Sequence, residues 1–246
     1  MDKKWTVQKA EYCEHTCAIL AFLLEEYVRI FGNEIMFNED CIVFNDPQAS
    51  CPMLITNVTP VHIRLAQENL SYWTQTVFQL SHEMCHYAIR QHKENKEFTL
   101  SWLEEIVCEA MSLYALEYSS RAWNRCSLAQ YMPLFGQNYG TYLTQELARD
   151  STIGFSQCDT IEKLSEYEKK EFPESQRESH RAERNFVYRV ISSNPQELRS
   201  VIDYTKYMDN NGITINFEKW IHDDNSNLLK ELRKIQPVKI ESAIIV

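Results

Sequence analysis

The sequence predicts an α+β fold, with a small sheet in the first third of the chain and helices after it. Three observations carry this. Short apolar runs divided by turn residues fill positions 35–65, whereas apolar residues at helical spacing dominate from Ser71 onward. Glycine is scarce, 5 in 246 residues, and proline modest at 7, which disfavours a turn-dense all-β sandwich. The chain is 44% apolar and 24% charged, the balance of a globular protein long enough to bury a core. We expect one compact unit with two lobes, residues 1–120 and 121–246, the second mostly helical.

Residues 8–31 read as the first helix. Ala18, Ile19, Phe22, Leu23, Val28 and Ile30 recur at helical spacing, and Gly32-Asn33 supplies a stop. Cys13 and Cys17, one turn apart with no partner pair following, read as core thiols. Ile35–Phe37 and Cys41–Phe44 read as strands bounded by turn residues, and Met53–Thr56 with Val61–Leu65 as a further pair. Alternation in Val61–Leu65 suits an edge or half-buried strand, and Pro60 before it supports an edge. A long helix spans Ser71–Gln91, with Trp73, Val77, Leu80 and Met84 along one side. A polar loop follows from His92 to Glu97. The next helix starts at Ser101, an N-cap with Glu104 three residues on, and runs to about Tyr118. Later helical segments fall near 122–148, 160–170, 176–192, 195–208 and 226–235, with a short strand at Ile213–Phe217.

Charge excludes some functions. Lys and Arg total 25 against 35 Asp and Glu, a net charge of −10, so the surface repels phosphate and nucleic acid is not an expected partner. The longest apolar run, Cys17–Leu24, is far short of the about 20 residues of a membrane helix. The polar N-terminus lacks the apolar block of a signal peptide. Eight cysteines are scattered without a C-x-x-C pair, which reads as a reduced, cytoplasmic protein.

The chemistry is concentrated in His82-Glu83-Met84-Cys85-His86. On a helix, positions four apart differ by about 40° around the axis, so both imidazoles reach one side and can grip one metal ion. Zinc accepts imidazole nitrogen and leaves a position for water, and Glu83 lies beside it to accept a proton. The neighbours Leu80, Ser81, Met84, Cys85, Tyr87 and Ala88 are uncharged, as a helix buried behind such a site requires. A third ligand is needed. Glu105 follows His86 after 18 residues, on the next predicted helix, where a hairpin returns it across the first. Glu109, one turn on, shares its face and suits a supporting carboxylate for a metal-bound histidine. Glu104 is the neighbouring alternative, since only one of the adjacent pair can face the metal. His92, six residues after His86, is another.

The H-E-x-x-H sequence, the 18-residue spacing to Glu105, the acidic Glu109 and the stretch Trp102-Leu103-Glu104-Glu105 together resemble the gluzincin metallopeptidases, the group of thermolysin and aminopeptidase N. The resemblance covers about residues 71–117. It implies a zincin-like fold, with a small mixed sheet before the active-site helix, one Zn2+ per chain on His82, His86 and Glu105, and peptide or protein substrates. Ile106 stands where aminopeptidases usually have glycine, and their Gly-x-Met-Glu-Asn motif is absent, so exo- and endo-cleavage both stay open. His92 matches the third histidine of the metzincin pattern, with Met132-Pro133 for its methionine turn. That pattern needs glycine where this chain has Ile89.

The resemblance implies hydrolysis by a zinc-bound water activated by Glu83. It also implies a tyrosine or histidine from the C-terminal lobe to stabilise the oxyanion. Tyr188 and His180 are the expected candidates, and Tyr131, Tyr139, Tyr142 and Tyr167 remain open. It further suggests that Val61, Ile63 and Leu65 lie on the strand to which a peptide substrate adds. A zinc-binding regulatory or scaffolding protein of the same fold without turnover is the alternative outside enzymes.

Overall fold

The computed structural model describes residues 4–91, 99–149, 155–169 and 178–238. In chain order the elements are β1 (Trp5–Val7), α1 (Cys13–Phe31), α2 (Asn33–Met36), β2 (Cys41–Asn45), β3 (Met53–Ile55) and β4 (Val61–Leu65). Then come α3 (Trp73–Gln91), α4 (Ser101–Ala122), α5 (Gly136–Leu147), α6 (Ile161–Lys169), α7 (Arg181–Ser193), α8 (Phe217–Asp223) and α9 (Asn227–Ile235). Turns of 3-10 helix occupy Trp123–Arg125, Ser127–Gln130, Phe155–Gln157 and Pro195–Tyr207. The fold is α+β, a small sheet with helices as the larger part.

The sheet has the order β1-β2-β4-β3. β1, β2 and β4 run parallel and β3 is antiparallel to β4, with Cys41 opposite Val61 and Leu54 opposite Ile63. Cys41, Val43, Val61, Ile63 and Leu65 are buried, and α3 packs against β3 and β4. This corrects the edge-strand expectation. β4 lies inside the sheet, and Val61, Ile63 and Leu65 point into the core, where no substrate reaches them. Alternation reports that one face of a strand is covered, not whether a neighbour lies alongside. Pro60 precedes the first paired residue and so removes no ladder bond.

α1 stops where expected. Gly32 has a φ of 96°, which only glycine adopts without strain, and its N–H donates to the Val28 carbonyl. Residues 33–36 then form a helical turn rather than a strand, because Met36 and Phe37 carry the chain on in helical hydrogen bonds, their N–H groups donating to the Gly32 and Asn33 carbonyls. Cys17 is exposed and Cys13 half-buried, so neither is a core thiol, and all eight cysteines are free. The segment 122–148 is broken at Tyr131–Phe135 rather than continuous, Ile213 to Phe217 makes only one bridge, Met208 with Ile215, and the polar loop at His92 falls outside the described residues.

α4 is the axis of the molecule. It packs against α3 on one side and against α5 and α7 on the others. Sixteen of its 22 residues are buried. One hydrophobic cluster runs from Ile19 to Val238 and joins the two halves of the chain. A helix buried all round must satisfy each carboxylate it carries. That requirement falls on Glu104, Glu105 and Glu109. Among the described residues, no helix is long and apolar enough to cross a membrane.

Candidate metal centre

α3 extends unbroken through Ile89, which is buried, so His82, Glu83 and His86 sit on regular helix. α4 crosses beside it and brings Glu105 to the two histidines. His82 Nε2 lies 3.1 Å from His86 Nε2, Glu105 Oε2 lies 3.3 Å from His82 Nε2, and Glu105 Oε1 lies 3.3 Å from His86 Nε2. Among the described residues, these three form the one group whose donor atoms lie close enough together that it could hold a metal ion. Ligand atoms about 2.0–2.1 Å from a tetrahedral ion stand about 3.3 Å from one another, so the spacing fits such an ion. Protein partners do not account for it equally well. Two imidazole nitrogens facing each other need a proton or a cation between them, and Glu105 Oε2 is buried without a hydrogen-bond partner. Glu83 is buried in the next position and close enough to His86 for its charge to act there.

The electrostatics of the cluster follow. Burial opposes charge on both His86 and Glu105. Glu104 and Glu105 nonetheless push the His86 imidazole well above its ordinary range, and the two histidines hold the Glu105 carboxyl well below its own.

Glu104 and Glu105 divide the work. Glu104 Oε2 lies 3.3 Å from His86 Nδ1, on the opposite side of the ring from the donor cluster. Its other oxygen accepts from the Tyr204 hydroxyl, which itself accepts from Leu100 N–H at 3.0 Å. A carboxylate behind a ligating histidine fixes the ring and its tautomer. The expected capping role fails because the helix starts one residue earlier than expected: its N-cap is Leu100, which has no side-chain cap, and Glu104 is turned to His86. Glu168 instead accepts from the N–H groups of Ser101, at 3.0 Å, and Trp102, at 2.7 Å.

Glu109 is buried one turn beyond Glu105, but its nearest nitrogen partners are His180 Nε2 and Arg184 Nη1, each 3.6 Å from Oε2. Burial would raise its carboxyl, and these two groups hold it below the ordinary range, with His82 adding a smaller effect. Its main partners are thus on the C-terminal lobe rather than a ligating histidine. His180 is fully buried between Glu109 and the Tyr167 hydroxyl, 3.1 Å from its Nδ1. Tyr188 does not reach the cluster. Its hydroxyl donates to Glu117 at 3.1 Å. Glu117 is twelve residues beyond Glu105, about 18 Å along the helix axis. Tyr139 is fully buried, Tyr131 is largely exposed on the loop after α4, and Tyr167 is engaged with Ser179 and His180. Met132 is half exposed on that loop rather than beneath the histidines, and His92 lies outside the described residues.

A cleft of about 490 Å³ opens beside His82. Gln79, Glu109, Tyr142 and Glu146 line it, and Cys51 and Pro52 bring in the start of β3. Sequence reasoning missed Tyr204, which lies a hundred residues from its partner Glu104 and carries no local signal. It also missed Glu104's supporting role, which adjacency to Glu105 makes legible only once the helix rotation is known. No family model, curated protein or solved structure matches the chain.

Proposed function

We propose that the protein is a zinc-dependent peptidase of gluzincin type, with His82, His86 and Glu105 as the metal ligands and Glu83 as the base. The observation that carries the reading is the convergence of His82 Nε2, His86 Nε2 and the two Glu105 oxygens at 3.1–3.3 Å, with Glu105 Oε2 buried and lacking a hydrogen-bond partner. When bound, zinc supplies Lewis acidity toward a substrate carbonyl and makes a nearby water acidic at neutral pH. Glu83 takes a proton from the attacking water and passes it to the leaving amine as the peptide C–N bond breaks. Glu104, held by Tyr204, keeps His86 in the ligating tautomer. β3 is the antiparallel edge of the sheet, its Met53 is exposed, and the residues before it line the cleft beside His82. An extended peptide adds there as a further strand, with backbone pairing to hold it in register.

The test is metal content by elemental analysis of wild type and Glu105→Ala side by side, with cleavage of a peptide panel by wild type and Glu83→Gln. We expect one zinc per chain in wild type, little in Glu105→Ala, and zinc without cleavage in Glu83→Gln. Zinc retained in Glu105→Ala removes Glu105 from the ligand set. A protein that takes up no metal after zinc loading overturns the peptidase reading.

A further inference from the structure

The cleft beside His82 gathers cationic side chains in an acidic molecule. The chain has a net charge of −10, yet Arg149, Arg181 and Arg184 all line this cleft, against the carboxylates of Glu109 and Glu146. The three arginines have different duties. Arg184 is buried and structural. It donates to the Glu146 carbonyl at 2.9 Å and to Asn185 Oδ1 at 3.2 Å, and its Nη1 stands 3.6 Å from both Glu109 Oε2 and Glu146 Oε2. One buried guanidinium is thus shared by two carboxylates, each beyond direct hydrogen-bond reach.

Arg149 stands at the rim and Arg181 lies deeper, its side chain 17% exposed. The Arg149 side chain is 53% exposed and pairs with Glu146 at 3.0 Å. Arg181 pairs with Glu178 at 3.3 Å, one turn away on its own stretch of chain. The half-exposed Arg149 guanidinium keeps donors open to solvent and can share them with an arriving carboxylate, while Arg181 adds a second positive charge beside it. The planar fork suits such a group, which it can bind through two parallel hydrogen bonds. Phe78 and Tyr142, edge to face at 6.0 Å, give the cleft an apolar wall, and Pro52 leads into the β3 edge.

Resting on the peptidase reading of this site, we propose that the cleft selects peptides with a carboxylate near the scissile bond, held by Arg149 and Arg181. That carboxylate is either an acidic side chain or the C-terminus of the peptide. The same cations reject lysine and arginine at that position.

The experiment measures binding to the zinc-loaded, full-length Glu83→Gln protein by fluorescence anisotropy. Three labelled peptides share one apolar frame: one has a glutamate and an amidated end, one is neutral with a free C-terminal carboxylate, and one has a lysine and an amidated end. We expect one of the anionic peptides to bind about tenfold or more tighter than the lysine peptide, and which one identifies the source of the carboxylate. Added Arg149→Ala weakens that preference, and Arg149→Glu/Arg181→Glu reverses it. The single variant alters a half-exposed side chain and keeps the test usable if the double variant does not fold. Equal binding of all three peptides, or tighter binding of lysine, overturns the proposal. Wild-type cleavage of a mixed peptide pool is scored separately. Cleavage without charge preference removes the carboxylate selection and leaves the peptidase reading. Arginine-dependent binding of an anionic peptide with no cleavage of any peptide does the reverse.

Discussion

At the scale of single residues, the site depends on carboxylates that burial alone would penalise. Glu104 is 2% exposed and shared by His86 and Tyr204, and burial together with its negative charge pushes the Tyr204 hydroxyl well above its ordinary range. Glu104→Ala leaves the buried Tyr204 hydroxyl without its acceptor and His86 without its brace. We expect a loss of about 1–3 kcal/mol in urea unfolding and metal affinity lower by about 10–100-fold in a competition titration. Tyr204→Phe keeps the carboxylate, so its effect on metal affinity is the smaller of the two. Metal affinity unchanged in both variants would separate Glu104 from the centre. His82, Glu83 and His86 were legible because they stand within about one turn of a single helix, and Glu105 because a helical hairpin at that spacing returns it across them. His180 and Tyr188 were chosen by position along the chain, and position says nothing about which turn of α4 a side chain meets. Glu117 and Glu109 claim them instead.

At the scale of elements, α4 has its first turn held from outside. Glu168, on α6, accepts from two of the N–H groups that a helix start leaves unpaired. We expect Glu168→Ala to cost about 1–2 kcal/mol. Burial raises the Glu168 carboxyl, against the pull of the two N–H donors. An acid raised in the folded state binds its proton there longer than in the unfolded chain. Its effect on stability therefore declines as pH climbs from the unfolded value through the folded one. Glu168→Gln flattens that part of the stability–pH curve, and an unaltered curve excludes the assignment. Long periodic elements such as α3 and α4 were readable from sequence. The short ones failed for definable reasons. Ile35-Met36 has the composition of a strand but follows a left-handed Gly32 that restarts helical bonding, and β1 is three residues long, too short for any period to show.

At the scale of the whole molecule, an α+β division with the sheet first and helices after was legible, because scarce glycine and the change of apolar period near Ser71 both speak to it. The strand order was not, since it depends on which distant segments lie side by side. That order places β1 over one side of β2. Lys4 N–H donates to Asp40 Oδ1 at 2.8 Å, Gln8 N–H to the Val43 carbonyl at 2.8 Å, and the Trp5 ring meets Tyr87 edge to face at 4.7 Å. β1 thus covers the outer edge of Cys41-Ile42-Val43, an apolar segment with strong strand preference whose other edge pairs with β4. A variant starting at Lys9 bares that edge, and a bared edge of this kind is a template for another chain. We expect it to self-associate with rising concentration in light scattering while the intact chain does not, and equal scattering from both would refute this. Three residues near the start of the chain therefore bear on solubility as much as on folding, by denying the sheet a place to grow.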